Sequence, residues 1–226
     1  MLKYTYYGHA CFLLDDGKCK VLADPFLTGN PMAAIKADKV ECDYILVSHA
    51  HGDHLGDAPA IAKRTGATII AIPEVIGLCC EQAGAELKSH GMNLGGSVVM
   101  PFGKVRMTLA LHSSGVAGGI ACGFVVQMGG RTVYFAGDTS LFQDMKLIGH
   151  KDSIDYALLP IGDNYTMGLE DAALAAQWLN TPNVIPIHYN TWPVIEQDVK
   201  KYQELTETTT KAQVHIVQPG ETLELK

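Results

Sequence analysis

Long apolar runs are missing from this chain of 226 residues. No stretch approaches the ~20 consecutive apolar residues that a membrane-spanning helix needs, so no membrane partner is expected. Positive charge is scarce as well: 17 Lys and Arg stand against 24 Asp and Glu, a formal net charge of −7, and no basic run occurs. Non-specific nucleic-acid binding depends on clustered cations, so this balance argues against a nucleic-acid partner and leaves a small-molecule substrate as the expectation. Cys11, Cys19, Cys42, Cys79, Cys80 and Cys122 have neither metal spacing nor the density of a disulfide scaffold. They read as reduced, small hydrophobes. The N-terminus runs straight into Tyr4-Thr5-Tyr6-Tyr7, a strand pattern without an apolar signal segment, so a cytoplasmic location is expected. Low-complexity segments, linkers and an appended substrate domain are absent too. With 47% hydrophobic residues, 1–226 is expected to bury its core as one domain.

Histidine, by contrast, is concentrated. The run Ser48-His49-Ala50-His51-Gly52-Asp53-His54-Leu55 follows Tyr44-Ile45-Leu46-Val47, an apolar run that reads as a buried strand. A strand delivers its last residues to one rim of a sheet, so His49, His51, Asp53 and His54 are expected on a loop held by a rigid element. Imidazole nitrogens and carboxylate oxygens this close suit a borderline cation such as zinc. More donors stand at the ends of other strand-like runs. His112 ends the alternating run from Val105, Asp138 ends Thr132 to Gly137, and His188 ends Val184 to Ile187. Five histidines and two aspartates are thus expected at one rim. His90 and His150, in Gly-flanked loops, and His215, in the late strand Gln213 to Val217, read as ordinary histidines.

The His-x-His-x-Asp-His motif with later His, Asp and His resembles the metallo-β-lactamase superfamily. Tyr7-Gly8-His9-Ala10-Cys11-Phe12, Asp24-Pro25-Phe26, His112-Ser113-Ser114, Gly137-Asp138-Thr139 and Pro186-Ile187-His188-Tyr189-Asn190 resemble one branch of it, the metal-dependent hydrolases related to ascorbate-6-phosphate lactonases. This resemblance spans residues 4 to 193. It implies an α/β fold, the αββα four-layer sandwich, with a dinuclear site. On that pattern His49, His51 and His112 hold one metal, Asp53, His54 and His188 hold the other, and Asp138 bridges them. The cofactors implied are two divalent metal ions, zinc first, with manganese, iron or nickel compatible. Redox di-iron members of the superfamily usually carry Glu where His51 stands, so the imidazole there favours hydrolysis.

Chemistry follows from such a ligand set. Two divalent cations ~3.5–4 Å apart lower the pKa of a shared water from about 16 toward 7 and polarise the oxygen under attack. Asp53 can aim the resulting hydroxide. His9 is expected at a strand start, either as a general acid or substrate contact, or as a structural hydrogen bond to the loop. Asp24 either orients a ligand imidazole or makes an Asx-type turn before Pro25. Asn164, Tyr165, Asn190 and Trp192 leave the same rim and could line a pocket, and Ser113 to Gly119 could form a mobile flap. The expected activity is metal-dependent hydrolysis of a small polar ester or lactone, or of a phosphorylated molecule. The alternatives are a phosphodiesterase or nuclease and a non-catalytic metal sensor.

An internal echo completes the reading. Cys11–Leu14, a turn, then Val21–Ala23 and Asp24 match Phe124–Met128, a turn, then Thr132–Gly137 and Asp138. Strands at Asp43–Val47 and Asp155–Leu159 follow, each leading to a helix: Asp57 to Arg64, and the alanine-rich Glu170 to Asn180. Two similar halves packed sheet against sheet are expected. Further helices are expected over Pro73 to Gln82 and from Pro193 through Leu205, and a closing hairpin joins Ala212–Val217 to Thr222–Leu225 at Pro219-Gly220.

Overall fold

The computed structural model describes all residues, 1–226. Its first sheet contains β1 (Leu2–Gly8), β2 (Cys11–Asp15), β3 (Lys20–Ala23), β4 (Tyr44–Leu46), β5 (Thr68–Ala71) and β6 (Ser89–Gly91), with β14 (Thr222–Leu225) beside β1. The second contains β7 (Ser97–Met100), β8 (Gly103–Leu109), β9 (Cys122–Met128), β10 (Arg131–Phe135), β11 (Tyr156–Pro160), β12 (Asn183–Ile187) and β13 (Gln213–Val214), hydrogen-bonded in chain order. The halves repeat one another. β1-β2-β3 pair antiparallel and β3-β4-β5-β6 parallel. Likewise β8-β9-β10 pair antiparallel and β10-β11-β12-β13 parallel. Asp24 and Asp138 follow equivalent strands, β3 and β10, as the echo predicts.

Alternation along the strands builds the layers. Val133 and Phe135 of β10, Phe124 and Val126 of β9, and Leu158 of β11 join the core shared with the first sheet. Their neighbours Tyr134, Val125, Ala157 and Leu159 join a separate core under the helices. Strands buried on both faces need apolar residues at every position, which is why these runs read as continuous. Phe12 and Phe135 meet edge to face across the sheets, ring centroids 5.1 Å apart. Helices α2 (Ala58–Thr65) and α3 (Pro73–Ala83) cover the first sheet; α4 (Met145–Asp152), α5 (Leu169–Leu179) and α6 (Val199–Thr209) cover the second. The result is the αββα sandwich. All six cysteines are free thiols. No helix is long and apolar enough to cross a membrane.

Four expectations change. The last helix does not run on from Pro193: Pro193–Ile195 form a single 3₁₀ turn, and α6 starts after Asp198, whose carboxylate accepts from the Lys200 and Lys201 amides. The Asp198 cap satisfies amides that Pro193 cannot, and the bond from Gln197 N to Asn190 Oδ1 bends the chain between them. The closing hairpin does not form, because β13 extends the second sheet and β14 the first. His90 lies on β6 and His150 in α4, not in loops. The short helix α1 (Gly52–Leu55) replaces the expected loop around Asp53 and His54.

Candidate metal centre

The strand ends β4, β8, β10 and β12 open on one rim, where the sequence-expected donors converge. His49 and His51 lie just beyond β4. Helix α1 opens on His51, whose carbonyl accepts from the His54 and Leu55 amides. Successive helical residues point about 100° apart, so Asp53 faces outward while His54 turns into the core with no exposed surface. His112 and Asp138 follow β8 and β10 after short extensions, and His188 directly follows β12. Gly137 has φ 63°, and a Cβ there would sit 2.6 Å from the Cys122 carbonyl oxygen, so only glycine turns the chain toward Asp138. His9, Asp24 and His188 themselves hold positive φ (60°, 38° and 55°), a cost of roughly 1–3 kcal/mol each that clusters at functional sites.

Donor atoms cluster as His49, His51 and His112, as His9, Asp53, His54 and His188, and in a third, overlapping set of Asp24, His49 and His54. In the first, His49 Nε2 lies 2.9 Å from His51 Nδ1, and His112 Nε2 lies 3.3 Å from the same atom. Neighbouring nitrogens on one tetrahedral zinc, bonded at 2.0–2.1 Å, stand about 3.3 Å apart. Asp138 Oδ2 lies between the groups, 3.1 Å from His188 Nε2, 3.2 Å from His54 Nε2 and 3.7 Å from His112 Nε2. Asp53 Oδ2 is 3.9 Å from both His54 Nε2 and His188 Nε2. The seven donors expected from the sequence lie together here, with His9 and Asp24 beside them.

A ring of hydrogen bonds fixes the imidazoles. His54 Nδ1 donates to Asp24 Oδ2 at 2.6 Å, which turns Nε2 toward Asp138 as the nitrogen free to bind a metal once it gives up its proton. Asp24 also accepts from the Ser48 amide at 2.8 Å and from the Ser48 hydroxyl. His49 Nδ1 lies 2.9 Å from Ser48 Oγ, and His51 Nε2 lies 3.2 Å from Ser113 Oγ. Asp24 thus orients a ligand imidazole. Its carboxylate accepts from His54 and Ser48, and the sequence alone left that role open against a turn.

Fit to a cation rests on the atoms left over. His54 Nε2, Asp138 Oδ1 and both nitrogens of His188 are buried without a hydrogen-bond partner. Buried polar atoms are normally paired, and His54 Nε2 and His188 Nε2, 3.2 and 3.1 Å from Asp138 Oδ2, fit a positive ion between them. The electrostatics agree. Burial opposes charge on Asp138, but His54 and His188 hold its carboxyl well below the usual range. Burial likewise opposes charge on His54, yet Asp138 and Asp24 raise its pKa well above 6.5. His49 is pushed down to about 2, chiefly by burial and then by His54.

His9 is not at a strand start. It occupies the tight turn between β1 and β2 and is fully buried. Its Nδ1 meets Thr191 Oγ1 at 2.8 Å and its Nε2 meets Asp53 Oδ2 at 3.2 Å, so both nitrogens have protein partners. Burial lowers its pKa to about 4, against the pull of Asp53. His9 does not line the cavity above the donors. Trp192 covers it, ring centroids 5.0 Å apart.

That cavity, of about 740 Å³, is lined by Asp53, Asp138, His51, His112 and His188 together with Phe26, Tyr165, Trp192 and Val194. Tyr165 and Trp192 line it as expected, whereas Asn190 spends its side-chain oxygen on Gln197 and Asn164 stays outside. Phe26, Val194 and Thr191 were not expected at the pocket from the sequence. The Ser113–Gly119 segment is anchored at its start: Ser114 O accepts from Ala50 N at 2.8 Å, and Gly115 packs against Ala50 and His51.

Comparison with known proteins agrees with this geometry. The family described as "Beta-lactamase superfamily domain" matches residues 19–189. The chain belongs to this family. The match spans every donor from Asp24 to His188 and begins after His9. Among superfamily relatives, a "UPF0173 metal-dependent hydrolase" of Heliobacterium modesticaldum is 52% identical, covering 100% of this chain and 98% of the relative. One of Pelotomaculum thermopropionicum is 49% identical over 99% of this chain and 100% of its own. Igni18, a metallo hydrolase of Ignicoccus hospitalis, superposes with a TM-score of 0.90 at 36% identity, covering 100% of this chain and 99% of that one.

Proposed function

We propose that this protein is a hydrolase with a dinuclear metal site, acting on a small ester- or lactone-type substrate. The observation that carries the reading is Asp138, whose buried Oδ2 lies within 3.1–3.7 Å of imidazole nitrogens from both donor groups. His49, His51 and His112 would hold one ion, Asp53, His54 and His188 the other, and Asp138 would bridge them. Two divalent ions, zinc foremost, would supply an acidified water and a polarised carbonyl oxygen.

The protein's own groups do the positioning. Asp53, less buried than the other donors, faces the cavity and accepts a hydrogen bond from the attacking water. His9 donates its Nε2 proton to Asp53 while Nδ1 accepts from Thr191, fixing the carboxylate's angle. Any proton passing from His9 to a leaving group would have to pass through Asp53. The lactonase relationship suggested by the sequence fits a carbonyl substrate, and the names of the relatives support hydrolysis. The reading is tested by offering metal-loaded protein a panel of lactones, esters, thioesters, amides and phosphodiesters. Turnover of carbonyl substrates that vanishes with chelator and returns with metal is expected. Turnover confined to phosphodiesters would move the protein to the runner-up class, and no turnover at all would favour the sensor.

A further inference from the structure

Beside the metal donors the cavity lining is apolar and carries no Lys or Arg. Phe26 and Trp192 stand 5.9 Å apart by ring centroid, inclined at 36°, and with Tyr165 and Val194 they make up that apolar wall. Tyr165 and Val194 are 55% and 51% exposed, an arrangement expected of residues awaiting a ligand rather than filling a core. None of the chain's 17 Lys and Arg lines the cavity, while two carboxylates, Asp53 and Asp138, do. Ser113, the one serine there, is already engaged with His51.

Recognition of a phosphate or carboxylate tail calls for Arg, Lys or a cluster of amide donors, because a desolvated anion needs charged partners. An aromatic or branched apolar group needs only contact area and exclusion of water. Resting on the hydrolase reading above, we propose that the substrate is a neutral ester or lactone whose non-reacting part is an aromatic or branched apolar group seated between Phe26, Trp192 and Tyr165. Of the two substrate types expected from the sequence, the phosphorylated one lacks a partner on this wall. The structure favours the carbonyl compound with an uncharged tail.

Hydroxamates separate the tail from the reacting end, since every member presents the same chelating head to bound metal. Calorimetric titration of the zinc-loaded protein would compare acetohydroxamate, phenylacetohydroxamate and phosphonoacetohydroxamate. Phenylacetohydroxamate is expected to bind at least about tenfold more tightly than acetohydroxamate, and the phosphono compound no more tightly than acetohydroxamate. Trp192→Ala and Phe26→Ala should each erase most of the phenyl advantage, taken as the ratio of phenylacetohydroxamate to acetohydroxamate affinity in the same variant. Val194→Lys, on the exposed rim where folding is not at stake, should tighten the phosphono compound by about tenfold. A phosphono compound that matches the phenyl one on the unmodified protein would overturn the proposal, as would a phenyl advantage that survives both aromatic substitutions. Loss of all hydroxamate binding on protein shown to hold zinc would instead overturn the hydrolase reading on which this inference rests.

Discussion

His54 sits between two carboxylates, and its role turns on which nitrogen carries the proton. Asp24 accepts from Nδ1, so Nε2 is left unpaired and aimed at Asp138. Asp24→Asn keeps the shape but places an amide N–H where His54 and Ser48 now donate. The tautomer that offers Nε2 should lose its support. Metal affinity is expected to fall by ~10–100-fold, the usual cost of losing a partner behind a ligand. Competition with a chromophoric chelator measures it, and unchanged affinity would remove Asp24 from the site. His9 calls for a different readout. As a positioning residue it should cost ~10–100-fold in kcat when changed to Ala, with metal content intact and the same loss for good and poor leaving groups. A loss that grows with leaving-group pKa would make it the acid after all. Titration adds a third expectation. In metal-free protein His9 and His49 stay neutral well below 6.5, with pKa values of about 4 and about 2. The unfolded chain takes up protons there first, so their contribution to stability is present above pH 6.5 and is lost as pH falls toward 4. His54, with its raised pKa, is charged in both states across that window and does not offset the loss. Chelator-treated protein should therefore show Tm falling from pH 7 to pH 4.5. A flat or rising Tm would contradict the buried, neutral assignment of His9 and His49.

Strands buried on both faces carry the donors, and their packing sets how firmly the rim is held. Phe135 has no exposed surface and meets Phe12 across the sheets, two residues before Gly137 and three before Asp138. Phe135→Ala should cost ~3–5 kcal/mol in urea unfolding. A change below about 1 kcal/mol would mean that the two sheets do not share this core. What the sequence disclosed at this scale follows the range of the forces. His49 to His54 were legible because a local motif holds them on one element. β9 to β12 were legible because two buried faces leave an apolar run bounded by turns. Segments whose partners lie far along the chain were not. Gly220 N donates to Tyr6 O, and Tyr6 N to Glu221 O, so the Pro219-Gly220 turn hands the chain to β1 instead of folding it into a hairpin. A two-residue strand such as β13 has no pattern of its own from which to read its partner. Val194 likewise fitted an apolar helix stripe, until the Asp198 cap and the Asn190–Gln197 bond put it at the cavity rim.

The whole molecule is two equivalent halves, each ending one antiparallel-to-parallel run on an aspartate, and the halves have diverged in use. Asp24 has become the buried acceptor behind His54, while Asp138 faces the donors. The αββα frame could be read before any coordinates, and so could the gathering of five histidines and two aspartates at one rim. Of the cavity's apolar residues, Tyr165 and Trp192 were expected from the sequence and Phe26 and Val194 were not, because the four come from three separate loops with no shared spacing. Everything proposed for the activity depends on those donors holding two ions with Asp138 between them. The most direct test is elemental analysis of the protein after zinc loading and removal of free metal, alongside Asp138→Ala. Two zinc ions per chain, falling to one or fewer in the variant, is the expected result. No zinc retained by the unmodified protein, or two retained equally by Asp138→Ala, would contradict it.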